Sequence, residues 1–129
     1  MPKQQITTTS GASPIGPYSQ GLRVGDFIFV SGQGPLDPVT GKIVGESIEE
    51  QTAQVLDNIK AILAAGNATM ANVVKANSYI SDIEFFERYN KVYKSYFPDP
   101  KPTRTTMVCQ PPVQGILVEI EVIAYIGNE

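Results

Sequence analysis

Histidine and tryptophan are absent from this chain of 129 residues, and cysteine occurs once. Without histidine the chain has neither a Ser-His-Asp nor a Cys-His nucleophile, and it has no histidine-containing metal site. One cysteine forms no disulfide within the chain and builds no cysteine-based zinc site, so we expect no metal. Any catalysis therefore rests on carboxylates, Arg, Lys, Tyr, hydroxyls, backbone groups and water.

The chain also lacks a surplus of positive charge and a long apolar run. Lys and Arg number 10 and Asp and Glu 13, which gives a formal net charge of -3. Binding to a phosphate backbone calls for a basic surface, so nucleic acid is a disfavoured partner. The first residues form no apolar signal segment and no stretch approaches the length of a membrane span. We therefore expect a protein of the cytoplasm or of an organelle matrix.

The length and the 42% of hydrophobic residues suffice for one packed core. Because no linker, internal repeat or low-complexity block divides the chain, residues 1–129 are predicted to form a single domain. Near its start, Leu22–Val24 and Phe27–Ser31 are rich in strand-forming residues, and Gly25-Asp26 between them is a turn signal. This pattern predicts a tight β-hairpin.

The period of the apolar residues changes at Ser47. Ser47 and Glu50 have the spacing of a capping box, and apolar residues then recur at intervals of three and four as far as Ala65. Gly66 follows as a stop signal. The spacing therefore predicts a helix from Ile48 to Ala65.

The second half alternates between strand and helix patterns. It contains a helical turn capped by Thr69, a strand over Val74–Ile80, a helix capped by Ser81 or Asp82 and ended by Pro98, and strands over Thr103–Gln110 and Ile116–Ile126. The second helix has a wide aromatic face that is typical of core packing. The order β-β-α-β-α-β-β predicts an α/β (α+β) fold with both helices on one face of a mixed sheet.

Two helices on one face leave the other face of such a sheet uncovered. In the last strand one set of alternating side chains is fully apolar, and the other set still contains Leu117, Ile123 and Tyr125 beside its glutamates. Large apolar faces are rarely left in water, so we expect this face to be an interface in a homo-oligomer. Glu119, Arg104 and Ser31 are then expected to lie at one partly desolvated seam.

The run P-T-R-T-T-M-V-C-Q, residues 102–110, contains an arginine and the single thiol. Strand alternation places them on opposite faces, Arg104 with Thr106 and Cys109 with Met107. The arginine is either a solvated or ion-paired edge residue or a forked donor for a ligand carboxylate. Cys109 has no histidine to activate it and is expected to pack in the core.

Three further stretches are candidates for a site. Glu119 and Glu121 either lie in solvent or, if partly buried, act as acid or base. The lone G-x-G after a strand in Ser31–Leu36 lacks the helix and third glycine of a dinucleotide site, so it predicts a loop with exposed backbone N–H groups. Prolines and glycines in Ser13–Gly21 fix the direction of Tyr18 or simply pack as a loop.

Together, six motifs strongly resemble the Rid family, the reactive intermediate deaminases that are also called the YjgF or enamine/imine deaminase family. They are I-G-P-Y-S-Q-G (15–21), F-V-S-G-Q (29–33), Q-V-L-D-N-I-K-A-I-L (54–63), Y-N-K-V-Y-K-S-Y-F (89–97), P-T-R (102–104) and V-E-I-E-V-I-A (118–124). They occur in the family's order over almost the whole chain. The chain looks most like the archetypal deaminase subgroup.

The resemblance implies a chorismate-mutase-like fold and a homotrimer with three clefts between subunits. It implies hydrolysis of 2-aminoacrylate-type enamines and of 2-imino acids, such as iminopropanoate and iminobutanoate, to 2-keto acids and ammonia without a cofactor. Members of the family are also described as translation inhibitors with ribonuclease activity and as chaperone-like proteins, which leaves a non-catalytic regulatory or binding role as the alternative.

The resemblance also implies roles for individual residues. Arg104 matches the arginine that grips the substrate carboxylate, and Glu119 matches the glutamate near the attacking water. The residues expected to shape the cleft or to position the imine are Tyr18, Ser31, Gly32, Asn90 and Thr106. Many members have cysteine where this chain has Thr106, so regulation through a thiol at that position is not expected here.

Overall fold

A computed structural model describes residues 2–127 of the chain. The strands are β1 (Gln4–Ile6), β2 (Gly21–Val24), β3 (Phe27–Gln33), β4 (Val73–Ile80), β5 (Thr103–Val108) and β6 (Val118–Tyr125), and the helices are α1 (Ile48–Ala65) and α2 (Phe86–Tyr96). Short 3-10 turns over Met70–Asn72 and Ile83–Phe85 precede β4 and α2. Neither helix of the described residues has the combination of length and hydropathy that a membrane span requires.

The six strands form one mixed sheet in the order β1-β2-β3-β6-β4-β5. Neighbouring strands are antiparallel except for β4 and β5, which are parallel and joined through α2. Helix α1 packs on β3 and β6, and α2 packs against α1. The predicted fold, a mixed sheet with two helices, is confirmed.

The predicted hairpin and first helix are present. Strands β2 and β3 pair across Gly25. At the start of α1, Ser47 Oγ accepts a hydrogen bond from Glu50 N at 3.1 Å, and the Glu50 carboxylate accepts one from Ser47 N at 3.4 Å. The helix ends at Ala65, and Gly66 N donates to the carbonyl of Leu63. The capping residues therefore set both ends of α1.

Other boundaries differ from the predicted ones. The order gains a strand, β1, whose residues include only one apolar side chain and which forms as an edge strand beside β2. Asp82 caps the 3-10 turn over Ile83–Phe85, so the α-helix itself begins only at Phe86. Strand β5 ends at Val108 and β6 begins at Val118. Residues between them form a loop punctuated by Pro111-Pro112.

The core lies between the sheet and the helices. In β6 the inward side chains of Val118, Ile120, Val122 and Ala124 are at most 2% exposed, as the alternation predicts. The opposite face of the sheet is open in the single chain and has aromatic side chains on it. Phe27, Phe29 and Tyr125 are exposed at 42%, 43% and 41%.

The prediction that Cys109 and Met107 pack in the core is wrong. Strand β5 is an edge strand whose register with β4 places Arg104 beside the buried Ala76, so Met107 falls on the open face. The side chain of Met107 is 56% exposed, and Cys109 is exposed beyond the end of the strand. The alternation itself was correct, but the face turned toward the core is the one with Arg104.

Candidate functional site

The predicted site residues fall into two groups on opposite faces of the sheet. Tyr18, Ser31, Gly32 and Glu119 line a cavity of about 400 Å³ on the open face, which we call the Glu119 cavity. The remaining residues are on the helix-covered face, where Arg104 and Thr106 of β5 lie against α2, and Asn90 is part of α2. The chain therefore brings each group together but keeps the two groups apart.

A β-bulge at the end of β3 shapes the Glu119 cavity. Strand β3 pairs with β6 in one register as far as Val30 and in a shifted register at Gln33, and Ser31 and Gly32 lie in between. Ser31 Oγ donates to the carbonyl of Ser19 at 2.6 Å, which ties the bulge to the segment that contains Tyr18. The bulge turns the backbone of Ser31 and Gly32 into the cavity wall.

Gly32 lies directly against the carboxylate of Glu119. A Cβ atom built on this glycine would be only 2.5 Å from Glu119 Oε2, closer than real Cβ atoms approach an oxygen. Only glycine therefore permits the observed position of the carboxylate. The glycine of the F-V-S-G-Q motif is therefore required because a side chain closely approaches its backbone. It is not part of a dinucleotide site, in agreement with the sequence analysis.

The surroundings of Glu119 favour its protonated form. Burial in the cavity raises the pKa of Glu119, and the negative charge of Glu121 on the same face raises it further. Among residues 2–127 no hydrogen bond holds this carboxylate. A carboxyl group with a raised pKa in a cavity is suited to accept a proton from a bound molecule and to release it again.

Glu121 differs from Glu119 because it is held by neighbouring side chains. Tyr79 donates its hydroxyl hydrogen to Glu121 Oε1 at 2.7 Å, and Asn77 Nδ2 lies 3.4 Å from the same oxygen. The hydrogen bond to Glu121, together with burial, raises the pKa of Tyr79 to about 12. Sequence reasoning missed Tyr79 and Asn77, although their alternation along β4 opposite Glu119 and Glu121 was a usable signal.

The Glu119 cavity is lined by both polar and apolar side chains. The polar ones include Glu119, Glu121 and Ser31. The apolar ones are Ala12, Ile15, Leu36, Pro112, Val113 and Ile116. Apart from Ile15 and Leu36, these apolar residues were not in the candidate stretches of the sequence, because they come from separate loops that show no shared motif. A cavity of this composition fits a small molecule that has both polar and apolar groups.

Tyr18 belongs to a tight turn at the mouth of the cavity. Its backbone N–H donates to the carbonyl of Gly16, and its hydroxyl accepts a hydrogen bond from Ile15 N at 3.1 Å. The ring is 42% exposed. The short turn thus fixes the direction of Tyr18, in agreement with the first of the two sequence-based readings of this segment.

Arg104 lies under an aromatic cluster on α2. Its Cζ is 4.8 Å from the ring centroid of Tyr93, 5.2 Å from that of Tyr89 and 5.7 Å from that of Phe86. Arg104 Nη1 donates to Asn90 Oδ1 at 2.8 Å. Cation–π contacts and a neutral hydrogen-bond partner hold the guanidinium in place without cancelling its charge.

The charge of Arg104 has no carboxylate partner in the part of the chain that the structure describes. The two ion pairs there join Arg88 to Glu49 and Lys101 to Asp99. The ion-paired alternative for Arg104 is therefore wrong for residues 2–127. Arg104 lines a shallow cavity of about 320 Å³ together with Asn90, Tyr93 and Lys101.

Thr106 is the next residue on the same face of β5. Its hydroxyl shares a hydrogen bond with the hydroxyl of the buried Tyr89, with 3.1 Å between the oxygens. Tyr89 is also one of the rings against Arg104. Thr106 thereby fixes part of the aromatic cluster that orients the guanidinium.

The prediction that Arg104 lies on the open face of the sheet together with Glu119 and Ser31 is wrong for Arg104, whereas a seam between subunits stays a prediction. Arg104 is beside Ala76 in the sheet register, whereas Glu119 is beside Tyr79 on the opposite face.

No three His, Cys, Asp or Glu side chains within residues 2–127 cluster in a way that would hold a metal ion.

Comparisons of this chain with family models, curated proteins and solved structures all indicate the same family. The model of the family described as Endoribonuclease L-PSP matches residues 8–126. A RutC family protein of Saccharolobus solfataricus is 47% identical over 122 residues, which cover 95% of this chain and 97% of the relative. Reactive Intermediate Deaminase A, chloroplastic, of Arabidopsis thaliana is 39% identical over 95% of this chain and 65% of that longer protein.

Solved structures agree with the fold. A crystal structure of a protein of Thermotoga maritima described as a putative endoribonuclease has a TM-score of 0.91 at 43% identity, covering 97% of this chain and 98% of its own. TdcF of E. coli, crystallised with bound serine, has a TM-score of 0.88 at 35% identity, covering 95% and 98%. The chain therefore belongs to the endoribonuclease L-PSP family, which is the Rid or YjgF family.

Proposed function

We propose that this protein hydrolyses 2-imino acids and their enamine tautomers to 2-keto acids and ammonia, without a cofactor, at sites formed between subunits of a homo-oligomer. The observation that carries the proposal is the separation of an uncompensated arginine from a carboxyl group with a raised pKa. Arg104 and Glu119 lie on opposite faces of one sheet. In a homo-oligomer, Arg104 of one subunit faces the Glu119 cavity of the next.

Arg104 supplies the anchor for the substrate carboxylate. Its guanidinium is held by three rings and by Asn90, and its charge is not neutralised by any carboxylate among residues 2–127. A guanidinium fork matches both oxygens of a carboxylate and fixes the orientation of the molecule attached to it. The related TdcF binds serine, whose carboxylate and nitrogen are placed as in a 2-imino acid.

Glu119 supplies the proton transfers at the other end of the substrate. Its raised pKa allows it to take a proton from water and to return it within the same cavity. The approach of its carboxylate to Gly32 places it beside the exposed backbone of the β3 bulge. Backbone groups of that bulge are positioned to hold the imine nitrogen.

The reaction has two steps and needs no covalent enzyme intermediate. Water, deprotonated by Glu119, adds through its oxygen to C2, while the C=N electron pair moves to nitrogen and is protonated. The resulting carbinolamine then expels the amine, after a second protonation, as ammonia, and its hydroxyl proton is lost to leave the 2-keto acid. Orientation and electrostatic stabilisation are enough to accelerate such a reaction.

The apolar part of the lining of the Glu119 cavity fits the substrate side chain. Its wall contains Leu36, Val113 and Ile116, none of which offers a hydrogen bond from the side chain. Short apolar side chains, as in iminopropanoate and iminobutanoate, therefore suit the site better than charged ones.

The open face of the sheet supports the assembly. Phe27, Phe29 and Tyr125 form an aromatic cluster, and each is more than 40% exposed in the single chain. The ring centroid of Phe27 is 6.5 Å from that of Phe29 and 5.2 Å from that of Tyr125. Covering this surface with a second copy stabilises the oligomer by burial of apolar area. The choice of a trimer rests on the resemblance to the Rid family.

Ribonuclease or RNA binding is the second candidate, since the matching family model is described as an endoribonuclease. The formal net charge of -3 and the lack of a basic stripe in the sequence weigh against a phosphate-backbone partner. A salt titration of RNA binding separates the candidates, because phosphate contacts give a steep loss of affinity with salt.

A coupled assay tests the proposal directly. A dehydratase that depends on pyridoxal phosphate and releases iminopropanoate or iminobutanoate is combined with this protein, and the appearance of 2-keto acid is followed. We expect the protein to accelerate keto-acid release above the rate of spontaneous hydrolysis. Release at the spontaneous rate, over a range of protein concentrations, contradicts the proposed activity.

A further inference from the structure

Two loops form walls of the Glu119 cavity, and helix α1 holds both of them. One wall follows β3 and includes Gly34 and Leu36, and the other precedes β6 and includes Val113 and Ile116. The α1 side chains that reach these loops are Gln51 and Asn58, two helical turns or about 10 Å apart on one side of the helix. Neither side chain lines the cavity itself.

Gln51 holds the wall that precedes β6. Its amide Nε2 donates to the carbonyls of Gly115 at 3.0 Å and Gly45 at 3.3 Å, and its Oε1 accepts a hydrogen bond from Leu117 N at 2.8 Å. The residue is 2% exposed, so water does not compete for these bonds. Leu117 is two residues before Glu119, and Gln51 therefore fixes the backbone where the chain enters the site.

Asn58 holds the wall that follows β3. Its amide Nδ2 donates to the carbonyls of Leu36 at 2.9 Å and Gly34 at 3.2 Å, and the side chain is fully buried. Gln54 Nε2 donates to Asn58 Oδ1 at 3.0 Å, which fixes the orientation of the Asn58 amide. The loop after Gly32 is thereby attached to the same rigid helix as the opposite wall.

Buried amides of this kind define geometry more than they add stability. A buried hydrogen bond adds little net stability, because on folding it only replaces a hydrogen bond to water, while an apolar side chain of similar size would add burial energy to the core. Both amides donate to backbone carbonyls of the two loops that line the cavity. Gln51 and Asn58 thus attach the two walls of the cavity to α1.

We infer that Gln51 and Asn58 are positioning residues that set the separation of the two walls of the Glu119 cavity, and so the place of Glu119 relative to Gly32 and the substrate. The inference rests on the proposed function. It extends the set of residues that the reaction requires to two buried side chains that do not touch the substrate.

The test uses Gln51→Met and Asn58→Leu, which keep side-chain size and remove the hydrogen bonds. Gln54→Leu is a milder variant, because it removes only the bond that orients Asn58. The matched control is Thr52→Val in the same helix, since Thr52 is equally buried and its hydroxyl has no hydrogen-bond partner within residues 2–127. Circular dichroism and thermal denaturation select the variants that are folded.

Two readouts are measured on the folded variants. In the imine assay we expect kcat to fall about tenfold or more in Gln51→Met and Asn58→Leu, with a smaller change in KM because Arg104 is untouched, and a weaker effect of the same kind in Gln54→Leu. In a carbon-13 NMR titration of Glu119 we expect its pKa to move toward the ordinary glutamate value as water enters between the walls. Thr52→Val is expected to match the wild type in both.

Two results overturn the inference. The first is an unchanged titration of Glu119 in every folded variant of Gln51, Asn58 and Gln54, whatever the activity. The second is a wild-type kcat in those variants when the wild type is active. A wild type that hydrolyses no imine contradicts the proposed function instead, and the titration then decides the positioning role alone.

Discussion

Arg104 and Glu119 lie on opposite faces of the same sheet. Arg104 is in register with Ala76, which is fully buried, and its guanidinium packs against the rings of α2. Glu119 is in register with Tyr79 on the open face. A molecule as small as a 2-imino acid cannot contact both side chains of one chain. The proposed reaction therefore requires that neighbouring subunits contribute one side chain each.

Replacing Arg104 tests the carboxylate anchor. We expect Arg104→Ala to lower kcat/KM for 2-imino acids by about 100-fold or more, because the fork that holds the carboxylate is lost. Arg104→Lys keeps the charge without the fork and is expected to be intermediate. The control is Arg88→Ala, which removes an exposed ion pair with Glu49 and should leave keto-acid release unchanged. Near wild-type activity in Arg104→Ala contradicts the anchor.

Replacing Gly32 tests the close approach of Glu119. The methyl group of Gly32→Ala would lie 2.5 Å from Glu119 Oε2, so the carboxylate must move and kcat is expected to fall about tenfold or more. Gly41→Ala is the control, because Gly41 has a φ of +73° and open space around it. That change should lower stability by about 1 kcal/mol without affecting kcat. Equal kcat values for the two variants would refute the role of Gly32.

The pKa of Glu119 predicts a dependence of stability on pH. Burial and Glu121 raise this pKa, so the folded state holds the proton more tightly than the unfolded state does. The resulting stability is fully present below the ordinary glutamate pKa of 4.5 and is lost as pH rises through the folded value. At pH values above the folded pKa of Glu119, we expect Glu119→Gln to have a higher Tm than the wild type. At pH values below 4.5 we expect the two proteins to have the same Tm.

Thermal denaturation across this pH range measures the effect of Glu119→Gln. The control is Glu49→Gln, since Arg88 lowers the pKa of Glu49 and removing that carboxylate should not raise the Tm at neutral pH. A wild type that is as stable as Glu119→Gln at neutral pH contradicts the raised pKa.

The open sheet face predicts how assembly can be broken. Phe29→Glu places a charge in the aromatic cluster on this face, and we expect it to release monomers in analytical ultracentrifugation and to abolish imine hydrolysis. Val39→Glu is the control, because Val39 is 91% exposed in a surface turn and should tolerate the charge. An oligomer that persists in Phe29→Glu shows that this face is not the interface.

Local signals in the sequence were sufficient for most of the fold. The capping box at Ser47 and the stop at Gly66 gave both ends of α1, and alternation gave the buried side of β6. Strand β1 was missed because its only apolar residue shows no period and its pairing with β2 is a tertiary effect. The Glu119 cavity was only partly predictable, since its apolar lining comes from loops that are distant in sequence.

The error about Arg104 has a clear physical source. Alternation states which residues of β5 share a face, but only the register with β4 decides which face is covered by helices. Arg104 was expected on the open face, and the three aromatic rings that hold it on the covered face come from α2. The sequence analysis interpreted the aromatic face of α2 as core packing. No local pattern in the sequence indicated that the same rings also pack against the guanidinium of Arg104.

Mixing two inactive variants tests the central claim most directly. Arg104→Ala and Glu119→Gln each lack one half of the site, and together they can rebuild it only where an intact Arg104 meets an intact Glu119 across subunits. Equal amounts are unfolded and refolded together, and imine hydrolysis is compared with each variant refolded alone. We predict recovery of about one quarter of wild-type activity, since random assembly pairs the intact halves at that frequency. Mixed oligomers that remain as inactive as the separate variants contradict a site shared between subunits.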